Sequence, residues 1–256
     1  MNALPSRLET DTISEAIFEF RFQATSESAG NLLPGLIFEK LQGTYSDVKR
    51  LSTSYIPEEV TGQDPKLQYR PLFRLVGNQF LLSIGNRVGI ISAISPYPGW
   101  QRFKNHIGEV LNAFRETSLI KHVERASVRY TNVIALSKED EDPQKVLDLS
   151  VTVGKMNAFD HSFQLRSELA KNGFINLINI AYPAELKNVS DDSDTISGII
   201  LDIDTITREI QGDFWEISPT LADDLHNTEK DLFFSILSES YLKSLGPIYE
   251  AINEHR

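Results

Sequence analysis

Residues 13–24 read ISEAIFEFRFQA, and their alternation decides the fold class. Ala16, Phe18, Phe20 and Phe22 fall on one side of an extended chain, while Glu15, Ile17, Glu19 and Arg21 fall on the other. A period of two marks a strand with one buried face. Working outward, 32–41 predicts a short helix, weakened by Pro34 and Gly35 near its start. Three strands follow at 69–76, 79–84 and 87–94, separated by Gly77-Asn78 and Gly85-Asn86. Glycine in the first central position suits a type II′ turn, so a three-stranded meander is expected. Pro98-Gly99 then opens a helix to about 117. Its apolar residues Trp100, Phe103, Ile107, Val110, Leu111 and Phe114 recur at helical spacing.

In the second half, 123–136 predicts a long strand, ended by the acidic loop 137–143. Further strands are expected at 149–153, 162–169, 174–181 and 195–205, with Lys171-Asn172-Gly173 as the turn between the second and third. A long helix is expected from an N-cap at Ser218, with Pro219 in its first turn, to about 245, where Gly246-Pro247 stops it. Phe233, Phe234 and Leu237 broaden its apolar sector, which reads either as deep burial or as a second contact surface for a partner. Tight turns imply antiparallel pairing with helices on one face. The expected class is therefore α+β: a large, mainly antiparallel sheet, flat or curled into a half-barrel, packed by two or three helices including a long C-terminal one. A single domain over 1–256 is expected, with 1–137 and 143–256 as its two similar halves.

Composition narrows the function. The 256 residues include 25 Lys+Arg against 36 Asp+Glu, a formal charge of −11, and no cysteine. A disulfide scaffold, a cysteine-ligated metal and a thiol nucleophile are excluded. The acidic balance argues against broad binding to nucleic acid or anionic lipid. The polar N-terminus MNALPSRLETDT lacks the apolar stretch of a signal peptide, and no apolar run is long enough to cross a bilayer. A cytoplasmic protein without membrane contact is the expectation.

Four segments together resemble those of an uncharacterised, sporadically distributed prokaryotic family of about this length, known by a placeholder name only. They are the EAxFExRF-like strand Glu15 to Phe22, the helix opening Tyr97-Pro98-Gly99-Trp100, the RYxN strand Arg129-Tyr130-Thr131-Asn132, and the LDID strand Leu201-Asp202-Ile203-Asp204 before a long helix. The resemblance covers nearly the whole chain and implies no known activity. The family's patchy distribution implies toxin–antitoxin, phage-defence or mobile-element settings, by association rather than mechanism.

Alternation also groups the charges. Glu15, Glu19 and Arg21 share one strand face, Arg125, Ser127, Arg129 and Thr131 another, and Asp202 and Asp204 a third. If the sheet curls, Glu15, Glu19, Asp202 and Asp204 are candidates to hold Mg²⁺ or Mn²⁺, and Arg21, Arg125 and Arg129 to clamp the phosphates of a nucleotide or polyphosphate. A half-exposed antiparallel sheet with cross-strand Glu–Arg pairs produces the same alternation and is the commoner cause of it. The five histidines lack metal-pair spacing and are expected in surface or capping roles. Asp191-Asp192-Ser193-Asp194 lacks the glycine and terminal glutamate of a calcium loop. Tyr97, Trp100 and Phe103 read as anchors of a helix start rather than as a recognition patch. With no catalytic signature and no cofactor motif, the leading expectation is a non-enzymatic binding or regulatory protein acting by protein–protein contact or self-association. Metal-dependent nucleotide or polyphosphate chemistry in the charged sheet groove is the alternative.

Overall fold

A computed structural model describes residues 4–56, 64–65, 67–136, 142–187 and 195–249. In chain order the elements are β1 (Arg7–Leu8), β2 (Ile13–Ala24), α1 (Ala29–Lys40), β3 (Tyr45–Arg50), β4 (Pro71–Gly77), β5 (Phe80–Gly85), β6 (Val88–Ile94), α2 (Trp100–Glu116) and β7 (Ile120–Ala135). Then come β8 (Thr152–Val153), β9 (Met156–Asn157), β10 (Phe163–Lys171), β11 (Phe174–Lys187), β12 (Thr195–Ile206), α3 (Phe214–Ile236), α4 (Glu239–Ser244) and β13 (Pro247–Ile248).

Nine strands form one antiparallel sheet in the order β10-β11-β12-β7-β2-β6-β5-β4-β3. The two ends do not meet, so the sheet is open rather than a barrel. Its order follows one rule applied twice. A strand (β2, then β7) is followed by an excursion, then by a three-strand meander that returns to pair with it, then by a long helix. The two first strands pair at the centre, Phe18 opposite Val128 and Phe20 opposite Ala126.

The alternation in β2 produces the core directly. Phe18, Phe20 and Phe22 are fully buried, and Phe20 meets Phe114 of α2 edge-on at 5.0 Å and lies 6.3 Å from Phe214 of α3. Each such buried ring contributes about 1.5–3 kcal/mol. A second cluster, with Ile134, Ile199 and Leu201 from the sheet, packs under the far end of α3. Phe233, Phe234 and Leu237 belong to it, so the broad sector of the final helix is buried. No helix among the described residues is long and apolar enough to cross a membrane.

Several local expectations are corrected. The meander forms, but neither Gly77 nor Gly85 has the positive φ of a type II′ turn. These positions need glycine for space, because a Cβ there would overlap the carbonyl oxygens of Thr44 and Arg70. Asn172-Gly173 does take the left-handed geometry of a tight hairpin, with φ 52° and 83°, as does Gly154 at φ 64° in the small β8–β9 hairpin. Helix α3 starts at Phe214, so its N-cap lies five residues before the expected one at Ser218. Asp213 caps it by accepting from the Trp215 N–H at 3.0 Å, and Pro219 lies inside the helix. The helix also breaks at Leu237, and Ser238 caps a separate α4. Of 149–153 only Thr152–Val153 is a strand, in a small hairpin with β9. The Asp191–Asp194 run and His255 lie outside the described residues.

Candidate functional site

The seven charged candidates all emerge on the sheet face opposite the helices, on the adjacent strands β2, β7 and β12. There five of them pair with one another. Glu19 Oε1 accepts from Arg21 Nε at 2.7 Å and from Arg125 Nη2 at 2.9 Å. Asp202, 5% exposed, accepts from Arg129 Nε at 2.6 Å, Thr131 Oγ1 at 2.8 Å and Asn179 Nδ2 at 3.1 Å. The Arg21 guanidinium also lies 4.2 Å from the centre of the Tyr69 ring. Glu15 has no side-chain partner among the described residues. Asp204 is buried beside Ser127, and burial pushes its carboxyl up to about 6, with Glu19 adding to the rise and Arg125 and Arg129 opposing it. Among the described residues no three carboxylates or histidines gather in a way that could hold a metal ion. Glu15, Glu19, Asp202 and Asp204 therefore share a face without forming a metal centre. The guanidinium groups of Arg21, Arg125 and Arg129 are committed to carboxylates or to an aromatic ring.

A different polar cluster sits on the helix side. The same parity that turns Arg129 and Thr131 outward turns Tyr130 and Asn132 of β7 inward, where both are buried. The Tyr130 hydroxyl meets Tyr97 at 3.0 Å and His226 Nδ1 at 2.9 Å. His226, on α3, stacks on Trp100 at 4.1 Å and 11° between planes, and the Trp100 indole N–H donates to Asp223 at 2.9 Å. Burial, aided by the charge of Lys230, holds the His226 imidazole down to about 3, so it is neutral at physiological pH. Burial likewise raises the Tyr97 and Tyr130 hydroxyls above the ordinary phenol range. Next to them lies Glu229, 4% exposed, whose Oε1 is sealed from water with no hydrogen-bond partner. Burial, with the Asp202 charge on the other face, pushes its carboxyl well above the usual range.

These groups line a cavity of about 330 Å³ between the first residues of the chain, the start of α2 and the middle of α3. Its outer wall is tied in place from both chain ends. β1 pairs with β13, and the Ser6 N–H reaches the Ile248 carbonyl at 2.7 Å. Asp11 adds a second carboxyl at the rim, raised by burial against the N–H bonds of Ile13 and Thr12. Thr12 Oγ1 donates to Asn132 Oδ1 at 2.9 Å. An aromatic pocket with a few convergent polar groups and perturbed titrations is the usual form of a small-molecule site.

Two expectations about these residues change. Tyr97 and Trp100 do anchor a helix start, yet they are also pocket wall. The surface role expected for the histidines fails twice. His226 belongs to the pocket, and His106 is 3% exposed, bonded to the Tyr45 hydroxyl at 2.8 Å and stacked on Phe80. Glu229 was legible only as an acid four residues from both Leu225 and Phe233, inside an apolar stripe. No family model matches this chain, and no curated protein matches it.

Proposed function

We propose that this chain is a non-enzymatic binding protein whose working site is the pocket around Tyr130, His226 and Glu229. The observation that carries this reading is the Glu229 carboxyl in the cavity wall, 4% exposed and with no hydrogen-bond partner for its Oε1 among the described residues. A buried carboxyl short of donors costs about 1–3 kcal/mol, and a ligand donor reaching that carboxyl from the cavity would offset it. The polar groups that converge there, two tyrosines, a neutral imidazole and an amide, orient a guest without supplying a nucleophile. Native mass spectrometry of the gently purified chain tests it. A small-molecule adduct is expected on the wild type and should be missing from Glu229→Leu. A bare wild-type chain, or an adduct indifferent to that substitution, would overturn the reading.

Contact with a protein partner, in a regulatory or toxin–antitoxin setting, is the second reading, and the −11 charge favours it. A basic partner held by such a surface would associate quickly and release with salt. Co-elution of a second chain at low salt and its loss at high salt is the expected sign.

A further inference from the structure

The pocket opens outward into a groove of about 950 Å³, which shares Ser6, Arg7, Gly99, Trp100 and Lys230 with it and adds Arg102. Among the described residues the groove lining contains three cations and no carboxylate, in a chain whose acids outnumber its bases by 36 to 25. Arg7 comes from β1, Arg102 from the first turn of α2 and Lys230 from α3. Helix α2 starts at this point with unusual openness. Its N-cap is Gly99 at φ 87°, which has no side chain to cap the helix, and no acidic residue sits in the first turn. Uncapped N–H groups at the positive end of a 17-residue helix, flanked by guanidinium groups, form a seat for an anion.

The inner pocket has the opposite preference. Its lining includes the Glu229 and Asp11 carboxyls, which accept hydrogen bonds, and its walls are aromatic. Inorganic phosphate would satisfy only the groove, and a simple amine only the interior. A molecule that joins a planar, N–H-bearing ring to an anionic group satisfies both ends.

Resting on the binding reading above, we propose that the ligand is a nucleoside phosphate. Its phosphate lies at the start of α2 among Arg7, Arg102 and Lys230, and its base enters the pocket and donates an N–H to Glu229. The inner volume suits a ring, and the groove has room for the sugar and phosphate.

Calorimetric titration of the full chain with AMP, GMP, CMP and UMP, their nucleosides, inorganic phosphate and purine riboside 5′-monophosphate tests this. The last has no N–H on its base. At least one natural nucleotide should bind about tenfold or more tighter than its nucleoside, than phosphate and than the donorless analogue, the worth of about one hydrogen bond. The double variant R7A/R102A should lose about tenfold for the nucleotide while leaving the nucleoside unchanged. Glu229→Leu, which removes a buried unpartnered carboxyl and so should fold at least as well, should erase the preference over the donorless analogue. Equal affinity for nucleoside and nucleotide, or no binding of any nucleotide, overturns the assignment. If no nucleotide binds while the native chain still carries an adduct that Glu229→Leu loses, the pocket reading stands and the nucleotide falls. If neither adduct nor titration appears, both fall.

Discussion

Asp202 and Glu229 are equally buried acids on opposite faces of the same sheet, 5% and 4% exposed, and they are treated in opposite ways. Asp202 sits among three donors on the open face, while Glu229 has an oxygen with no partner on the helix side. The open face is where charges are dense along the chain, and there they are mostly spent on one another, although Asp204 Oδ1 and Arg125 Nε are also buried without a partner. The helix side holds few polar groups, and one of them is left unanswered. Density of charge marks where a sheet meets water, whereas an unmet hydrogen bond in a cavity marks where a ligand belongs.

Removing each acid should therefore move stability in opposite directions. Asp202→Leu strands the Thr131 hydroxyl and the Asn179 amide, although the half-exposed Arg129 can turn to water. A loss of about 3 kcal/mol is expected, read as a lower urea midpoint at unchanged slope. A neutral result would mean that the open-face network holds nothing together, and the contrast between faces would be gone.

Asp204 is the exception on the open face, and pH sharpens it. Its folded-state value near 6 lies above the ordinary 3.8, so between these two the folded chain keeps a proton that the unfolded chain has released. Stability from this group is present at low pH and is lost as pH rises through about 6. Asp204→Asn should match wild type near about pH 4 and gain about 2–3 kcal/mol above about pH 6.5. His226 works with the other sign. Held down to about 3, it stays neutral while the unfolded chain takes up a proton below about 6.5, so its contribution is lost as pH falls. A gain for Asp204→Asn that does not grow with pH would show that the carboxyl is solvated after all.

On the helix side, Glu229→Leu should raise stability by about 2 kcal/mol in the absence of ligand, because an apolar side chain replaces an unmet buried acceptor. Urea unfolding beside Asp202→Leu makes the comparison direct. Destabilisation of similar size in both would place Glu229 in a satisfied network and remove the ground for a ligand.

How far the sequence disclosed this depends on what each element buries. β2 and α2 were legible because their apolar residues face one core and so keep strict periods, whereas the β4–β6 meander was legible from the Gly-Asn pairs between its strands. Strand β3, Tyr45–Arg50, was not, since as an edge strand it buries only Tyr45 and leaves the polar run SDVKR outside. The start of α3 was misplaced because Ser218-Pro219 has the composition of a helix start, while Asp213 does the capping. For the site, Tyr97, Trp100, Tyr130 and Asn132 lie in patterned segments, but strand parity marks the charged Arg129 and its neighbour Thr131 more plainly than the inward-facing Tyr130 and Asn132. Nothing local announces that Tyr97, Tyr130 and His226 meet, because their contacts span 33 and 96 residues of chain.

The smallest expected effect tests whether those long-range contacts act as a chain of hydrogen bonds or only as packing. Tyr97 is its outer member, bonded through its hydroxyl to Tyr130, while its ring packs edge-on against Phe103 at 6.4 Å. Tyr97→Phe keeps the ring contact and removes one hydroxyl. Tyr130 retains His226 as its partner, so the loss is confined to one bond and should be about 1 kcal/mol in urea unfolding. Tyr130→Phe removes the hydroxyl that both neighbours use, leaving Tyr97 and the His226 imidazole each short of a partner. A larger loss for Tyr130→Phe than for Tyr97→Phe would make Tyr130 the joint that holds the pocket wall to α3. Equal losses would reduce the helix side to ring packing, and the difference between the two faces would then rest on Glu229 alone.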